Sequence, residues 1–328
     1  MSLLDRLLPR RPRRVARFGW VVLGYTLLVI LWGGFVRASG SGAGCGDSWP
    51  FCNGEIIPTN PTLSTLVEFG HRVTSGLALP LVLVLLVWAF RAFGAGSPVR
   101  KAAVASVAFM ILEAAIGAGL VLFEYVEYNP SIARAVWMAA HLTNTLFLVA
   151  AITLTSWWAG GGAVPRRAGS ERTLAVAGAL VGVLVLGAGG AVTALGDTLV
   201  LGGGLSEEHP VVATLLLARV FHPTMAFVVL ALVALAVWHG RDASPMASLA
   251  GTVALGLYVA QLALGGLNVW LEAPIWMQLV HLAVTDAIWI ALVVFASEAL
   301  AVQPVRQPDA GPVPSRARET PREVTRVA

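Results

Sequence analysis

The segment VEFGHRVTSG, residues 67–76, sets an acid, an imidazole and a cation at the mouth of an apolar run: Glu68, His71 and Arg72. An unpaired charge there would cost several kcal/mol, so the three need partners. His141, His222 and His281 lie in comparable positions, whereas His209 falls in a loop and His239 at the far end of a run. Imidazole ligates metals. A carboxylate nearby suits proton handling or stabilisation of developing positive charge. Any one of these histidines could equally be a hydrogen-bonding group inside a bundle. Glu68 could equally be a first-turn acid favoured by the helix dipole, or an i,i+4 partner of Arg72.

The elements that carry these residues follow from composition. The chain has 328 residues, 57% hydrophobic and only 12% charged, with mean hydropathy +0.78. This excludes a soluble domain and predicts an all-α integral membrane protein. Eight apolar runs fit transmembrane helices, at roughly 18–36, 66–90, 102–123, 132–158, 173–195, 211–238, 247–270 and 275–301. Of the 22 Lys and Arg, 18 fall before the first run, after the second, fourth and sixth, or in the C-terminal tail. The positive-inside rule makes those segments, and both termini, cytoplasmic in a multi-pass plasma-membrane protein. The opposite loops carry Asp47, Glu55, Glu124, Glu127, Asp197, Glu207, Glu208 and Glu272. The sequence pI near 9.6 therefore reports topology and affinity for anionic lipid, and no nucleic-acid partner is expected.

The runs form two copies of one unit. GGFVRASGSG at 33–42 resembles GGAVTALGD at 189–197, EAAIGAGLVLFE at 113–124 resembles QLALGGLNVWLE at 261–272, and HLTNT at 141–145 resembles HLAVT at 281–285. The organisation expected is a basic cytoplasmic segment (1–17), two tandem pseudo-symmetric four-helix bundles (18–160 and 161–301), and a Pro-rich, charged, disordered tail (302–328). An even number of spans per unit gives both copies the same orientation, unlike an inverted-repeat transporter.

His71, His141, His222 and His281 then fall on the even-numbered spans, two per repeat, all in the outer half of the bilayer at 1.5 Å of rise per residue. Zinc or copper would want more ligands than two imidazoles. Haem brings four nitrogens of its own, takes imidazoles as axial ligands and buries its apolar ring. Its propionates need cations, and Arg37, Arg72, Arg134 and Arg219 are the only basic residues outside the cytoplasmic set. Interfacial snorkelling explains Arg37 and Arg134 as well.

On GGFVRASGSGAGCGDSWPFCNG, EFGHR and the histidines of the fourth, sixth and eighth spans, the chain resembles the heme A synthase family across residues 18–300. The resemblance implies oxidation of the C8 methyl of haem O to a formyl through hydroxylated intermediates, for terminal oxidase assembly. It places substrate haem between His71 and His141, a haem b cofactor between His222 and His281, and a catalytic acid at Glu68. Haem O synthase and terminal oxidase subunits are the implied partners. The repeat supports a division of labour, because Glu68 precedes His71 by three residues where Arg219 precedes His222, and Arg72 corresponds to Pro223. The rival reading is a di-haem b membrane electron-transfer protein or a haem-delivery protein, neither of which needs Glu68. Cys45 and Cys52, spaced C-x6-C in the first outer loop, are expected to form a disulfide, either a structural clip or a redox pair. Some family members carry a second pair between the fifth and sixth spans, where GDTLVLGGGLSEEHP has none.

Overall fold

A computed structural model describes residues 11–301, apart from 167 and 207. The Pro-rich tail and the first ten residues lie outside that range. Among the described residues, nine α-helices make eight membrane-length spans: α1 Pro12–Ala38, α2 Leu63–Ala92, α3 Pro98–Leu122, α4 Ile132–Ala159, α5 Ser170–Asp197, the short α6 Pro210–Leu216, α7 Ala218–Gly240, α8 Pro245–Trp270 and α9 Ile275–Ala299. Among the described residues there is no strand, as an apolar solvent that cannot satisfy open backbone requires. Thr62, Ser97, Ser131 and Ser244 cap α2, α3, α4 and α8 by accepting from backbone N–H groups of the first turn. Pro at the first turn of α1, α3, α6 and α8 sets helical φ without losing a needed donor.

Three details differ from the periodicity. Helix α1 begins at Pro12, so the basic residues Arg13, Arg14 and Arg17 are its first turns rather than a separate segment. The sixth span is interrupted at Leu217, and α5 runs on into a π-helical turn, Thr198–Gly202. Hydropathy sees only apolar side chains and is blind to all three.

The repeat is visible in the packing. Helices α3 with α4, and α8 with α9, form equivalent close pairs, as do α1 with α2 and α5 with α7. The halves meet through α1 on α9, α4 on α5 and α4 on α9, a set that maps onto itself when the copies are exchanged. The backbone repeats too. Helices α3 and α8 end on left-handed residues, Glu124 (φ 56°) and Glu272 (φ 59°), with Tyr125 N–H donating to Leu120 O and Ala273 N–H to Asn268 O, each at 2.8 Å.

The main core, including Val82, Leu85, Leu146, Ile152, Val233 and Phe295, runs through both halves, a smaller one gathers around Leu195 and Leu199, and many other large apolar side chains face outward, as lipid permits. At the end opposite the Cys45–Cys52 loop, the halves are tied by polar groups. Buried Glu298 accepts from Trp157 Nε1 (3.1 Å), Ala163 N–H (2.9 Å) and Ser244 Oγ (2.8 Å). Ser297 accepts from Trp158 Nε1 at 2.8 Å and donates to Ala163 O at 2.6 Å. The sequence offers no sign of this knot, because Glu298 reads as an ordinary charge at a helix end.

Glu298→Ala strips the acceptor from three donors. We expect a loss of about 3 kcal/mol in denaturant unfolding in detergent, and a smaller loss for Glu298→Gln, which keeps one acceptor oxygen. A change within about 0.5 kcal/mol for the alanine variant would mean that the knot holds nothing.

Candidate functional site

Each of the four histidines lies against a glycine of the preceding span in its own half. A Cβ added at Gly33 of α1 would stand 3.0 Å from His71 Cε1 on α2, and one at Gly190 of α5 would stand 3.0 Å from His222 Cε1 on α7. At Gly117 of α3 it would be 3.9 Å from His141 Cε1 on α4, and at Gly265 of α8 3.4 Å from His281 Cε1 on α9. Glycine is the residue that lets an imidazole lie this close to a neighbouring backbone. The sequence repeat aligns Gly33 with Gly189, but Gly190 takes the equivalent place in space, and Gly189 is further from His222, at 3.9 Å.

In all four rings Nδ1 is buried without a hydrogen-bond partner, while the residue as a whole is half-buried. The remaining exposure falls on the rest of the ring, which includes Nε2. His71 and His141 are within electrostatic reach of each other, as are His222 and His281. The structure thus brings together the two histidines of each half.

The N-terminal pair has a carboxylate beside it. Glu113 Oε1 of α3 lies 3.3 Å from His141 Nδ1, an ion-pair distance without hydrogen-bond angles. Asn144 Nδ2 donates to Glu113 Oε2 at 2.5 Å, and Thr145 Oγ1 donates to Oε1. The sequence alone does not decide between packing and function for Glu113. Its repeat-related match with Gln261, four residues before a glycine facing the next histidine, was the available signal.

Glu68 makes the i,i+4 pair with Arg72 that its spacing offers. It is buried, and both its oxygens are engaged: Oε2 accepts from Cys45 N–H at 2.8 Å, and Oε1 from Arg72 Nε at 3.0 Å and Nη2 at 2.5 Å. Arg72 Nη1 also donates to the Ser48 and Phe51 carbonyls, each at 2.6 Å. The Cys45–Cys52 disulfide loop therefore closes over the start of α2, with Glu68 at the centre of the contact. Gly44 makes this closure possible, since a Cβ there would stand 2.4 Å from the Ser64 backbone.

The remaining arginines also lie toward the disulfide end. Arg37 crosses between halves, donating to Ala194 O (3.0 Å), Thr198 Oγ1 (2.8 Å) and Gln278 Oε1 (2.6 Å). Arg219 Nε donates to Asp197 at 2.7 Å. Arg134 is buried, with Nη1 donating to Asn129 O at 3.2 Å and Nε without a partner. Trp137 packs with Phe123 and Tyr125.

These residues fit haem. Among the described residues, no three His, Cys, Asp or Glu side chains converge to hold a bare ion. Two imidazoles, each with Nδ1 turned into protein and set on a backbone shelf without a Cβ, suit a metal whose other ligands come with a macrocycle.

Eight membrane-length spans in two repeated halves define a multi-pass helical membrane protein. The chain belongs to the COX15-CtaA family, described as cytochrome oxidase assembly protein, whose model matches residues 16–293. It is 47% identical over 296 residues to a protein named protoheme IX farnesyltransferase from Thermus thermophilus, covering 88% of this chain and 48% of that one. It is 42% identical over 106 residues to a heme A synthase from an Exiguobacterium species, covering 32% of this chain and 35% of that one. With the heme A synthase of Geobacillus kaustophilus the identity is 38% over 128 residues, 39% and 38% of the two chains. The chain thus spans about half the length of the Thermus relative.

The shelf distances generate a graded expectation. Gly33→Ala and Gly190→Ala must displace an imidazole and should weaken haem retention by about 1–3 kcal/mol, as overpacking does. Gly117→Ala, with room for its methyl, should leave the absorption spectrum and haem-to-protein ratio of the purified protein unchanged. Equal losses in all three would contradict the shelf as the determinant.

Proposed function

We propose that this protein is a heme A synthase that oxidises the C8 methyl of haem O to a formyl group. The observation that carries the reading is that His71 and His141 in one half, and His222 and His281 in the other, each lie against a glycine of the preceding span at the same end of the bundle. In this reading the first pair flanks the substrate haem O, the second ligates haem b, and the disulfide end lies in the outer half of the plasma membrane with both termini cytoplasmic. Haem b, when bound, supplies a one-electron outlet. Methyl to formyl is a four-electron oxidation that also releases protons and takes up one oxygen, so the substrate half needs a group that tolerates positive charge and accepts protons.

Glu68 is the candidate for that role. Arg72 and the Cys45 N–H hold it at the mouth of the substrate half, where its twin in the other half is the cation Arg219. Arg72, Arg37, Arg134 and Arg219, all toward the disulfide end, are the candidates to hold the propionates, and their partners include carbonyls, side-chain oxygens and carboxylates. The Cys45–Cys52 disulfide pins the loop that positions Glu68.

The name of the Thermus relative favours a second reading, prenyl transfer to protohaem. That chemistry handles a diphosphate through Mg²⁺ and carboxylates, and among the described residues no such acidic cluster exists. The match covers less than half of that protein, and the family matched here is the assembly family. We infer that the unmatched half of the relative carries the transferase, which makes a haem O synthase a natural partner for this chain.

Co-expression with a haem O synthase, followed by chromatography of the extracted haems, tests the reading. Wild type should yield haem A or hydroxylated haem O. Glu68→Gln should keep haem b and lose product by about 100-fold or more, the scale of a general acid–base contribution. His222→Ala and His281→Ala should lose the low-spin haem b spectrum. Unaltered haem O from wild type would instead support the electron-transfer or haem-delivery alternative.

A further inference from the structure

We propose that Glu113 is a positioning residue for the N-terminal imidazole pair: its carboxylate takes the Nδ1 hydrogen of His141, fixes Nε2 as the iron-facing nitrogen and makes His141 a more electron-donating ligand than His281. The inference rests on the proposed function, which places a haem between His71 and His141.

Three observations carry it. First, Glu113 Oε1 is already 3.3 Å from His141 Nδ1, so a small rotation of either side chain completes the bond. Second, the carboxylate is aimed. Asn144 Nδ2 holds Oε2 at 2.5 Å and Thr145 Oγ1 holds Oε1, both from the turn of α4 that follows His141. Residues three and four positions on share the helix face of His141, so ligand and acceptor are fixed to one surface.

Third, the duplicated half supplies a comparison. Gln261 stands where Glu113 does, its Nε2 donating to His281 O at 2.8 Å and to Thr285 Oγ1 at 2.7 Å. Its Oε1 and His281 Nδ1 are both buried without partners. Thr145 and Thr285 are repeat equivalents, so hydroxyl and shape are kept while charge is changed. If Glu113 served only to pack α3 on α4, the amide would do as well. A carboxylate differs in being able to accept a charge-assisted bond from a ligating imidazole, which raises ligand basicity and favours the more highly charged ferric iron. Glu68, committed to Cys45 and Arg72, is a separate group, so the substrate half holds two carboxylates with two tasks.

The test is potentiometric titration of the full-length protein in detergent, saturated with protohaem IX, followed by absorbance. His141→Ala and His281→Ala assign the two redox waves. Glu113→Gln should move only the N-terminal wave upward, by about 59 mV if the preference for ferric over ferrous haem falls tenfold, the lower end of losses seen for such outer partners. Gln261→Glu should move only the C-terminal wave, downward. If Glu113→Gln fails to retain the N-terminal haem, the reciprocal variant decides alone. Unmoved waves, or both waves moving together in either variant, overturn the proposal. Two intact waves in His141→Ala would instead overturn the haem assignment on which it rests.

Discussion

The tightest contact in each half is an imidazole lying against a backbone that has no Cβ, His71 on Gly33 and His222 on Gly190. A contact of this kind occurs four times, at Gly33, Gly117, Gly190 and Gly265, always between neighbouring spans and always at the ring edge. Helix association in lipid gains little from apolar burial and relies on close packing and polar contacts, so small residues decide where helices approach. Here the approach is used to seat a ring whose Nδ1 is buried and whose other nitrogen is left for a ligand.

Duplication gave two such sites, and the differences between them concern charge more than shape. Glu68 faces Arg219 across the repeat, Arg72 corresponds to Pro223, and Glu113 to Gln261. The N-terminal half has thereby gathered acids near its imidazoles, while the second half has an amide and a cation paired to Asp197. On the proposed function, the first set suits a reacting substrate and the second a cofactor that only exchanges electrons. Arg37, reaching from α1 to Ala194, Thr198 and Gln278, joins the two halves at the level of the sites.

Hydropathy and repetition made the spans legible, together with the placement of His71, His141, His222 and His281 on the even-numbered ones, because both follow from periodicity. The disulfide was legible from two cysteines in one short loop. Less accessible was anything set by side-chain direction across helices. That Glu68 binds the disulfide loop, that Gly190 rather than Gly189 supports His222, and that Glu113 touches His141 all depend on rotations about helix axes that spacing does not fix. Interruption of the sixth span at Leu217 was hidden for a related reason, since apolar residues continue on both sides of it.

The central claim is that each half grips a macrocycle between its two imidazoles. An experimental map of the protein, purified from cells that also make haem O, tests it most directly. The account predicts planar density with a central metal peak between His71 and His141 and a second between His222 and His281. Lipid or detergent density at both places, with the imidazoles turned away from each other, would contradict it.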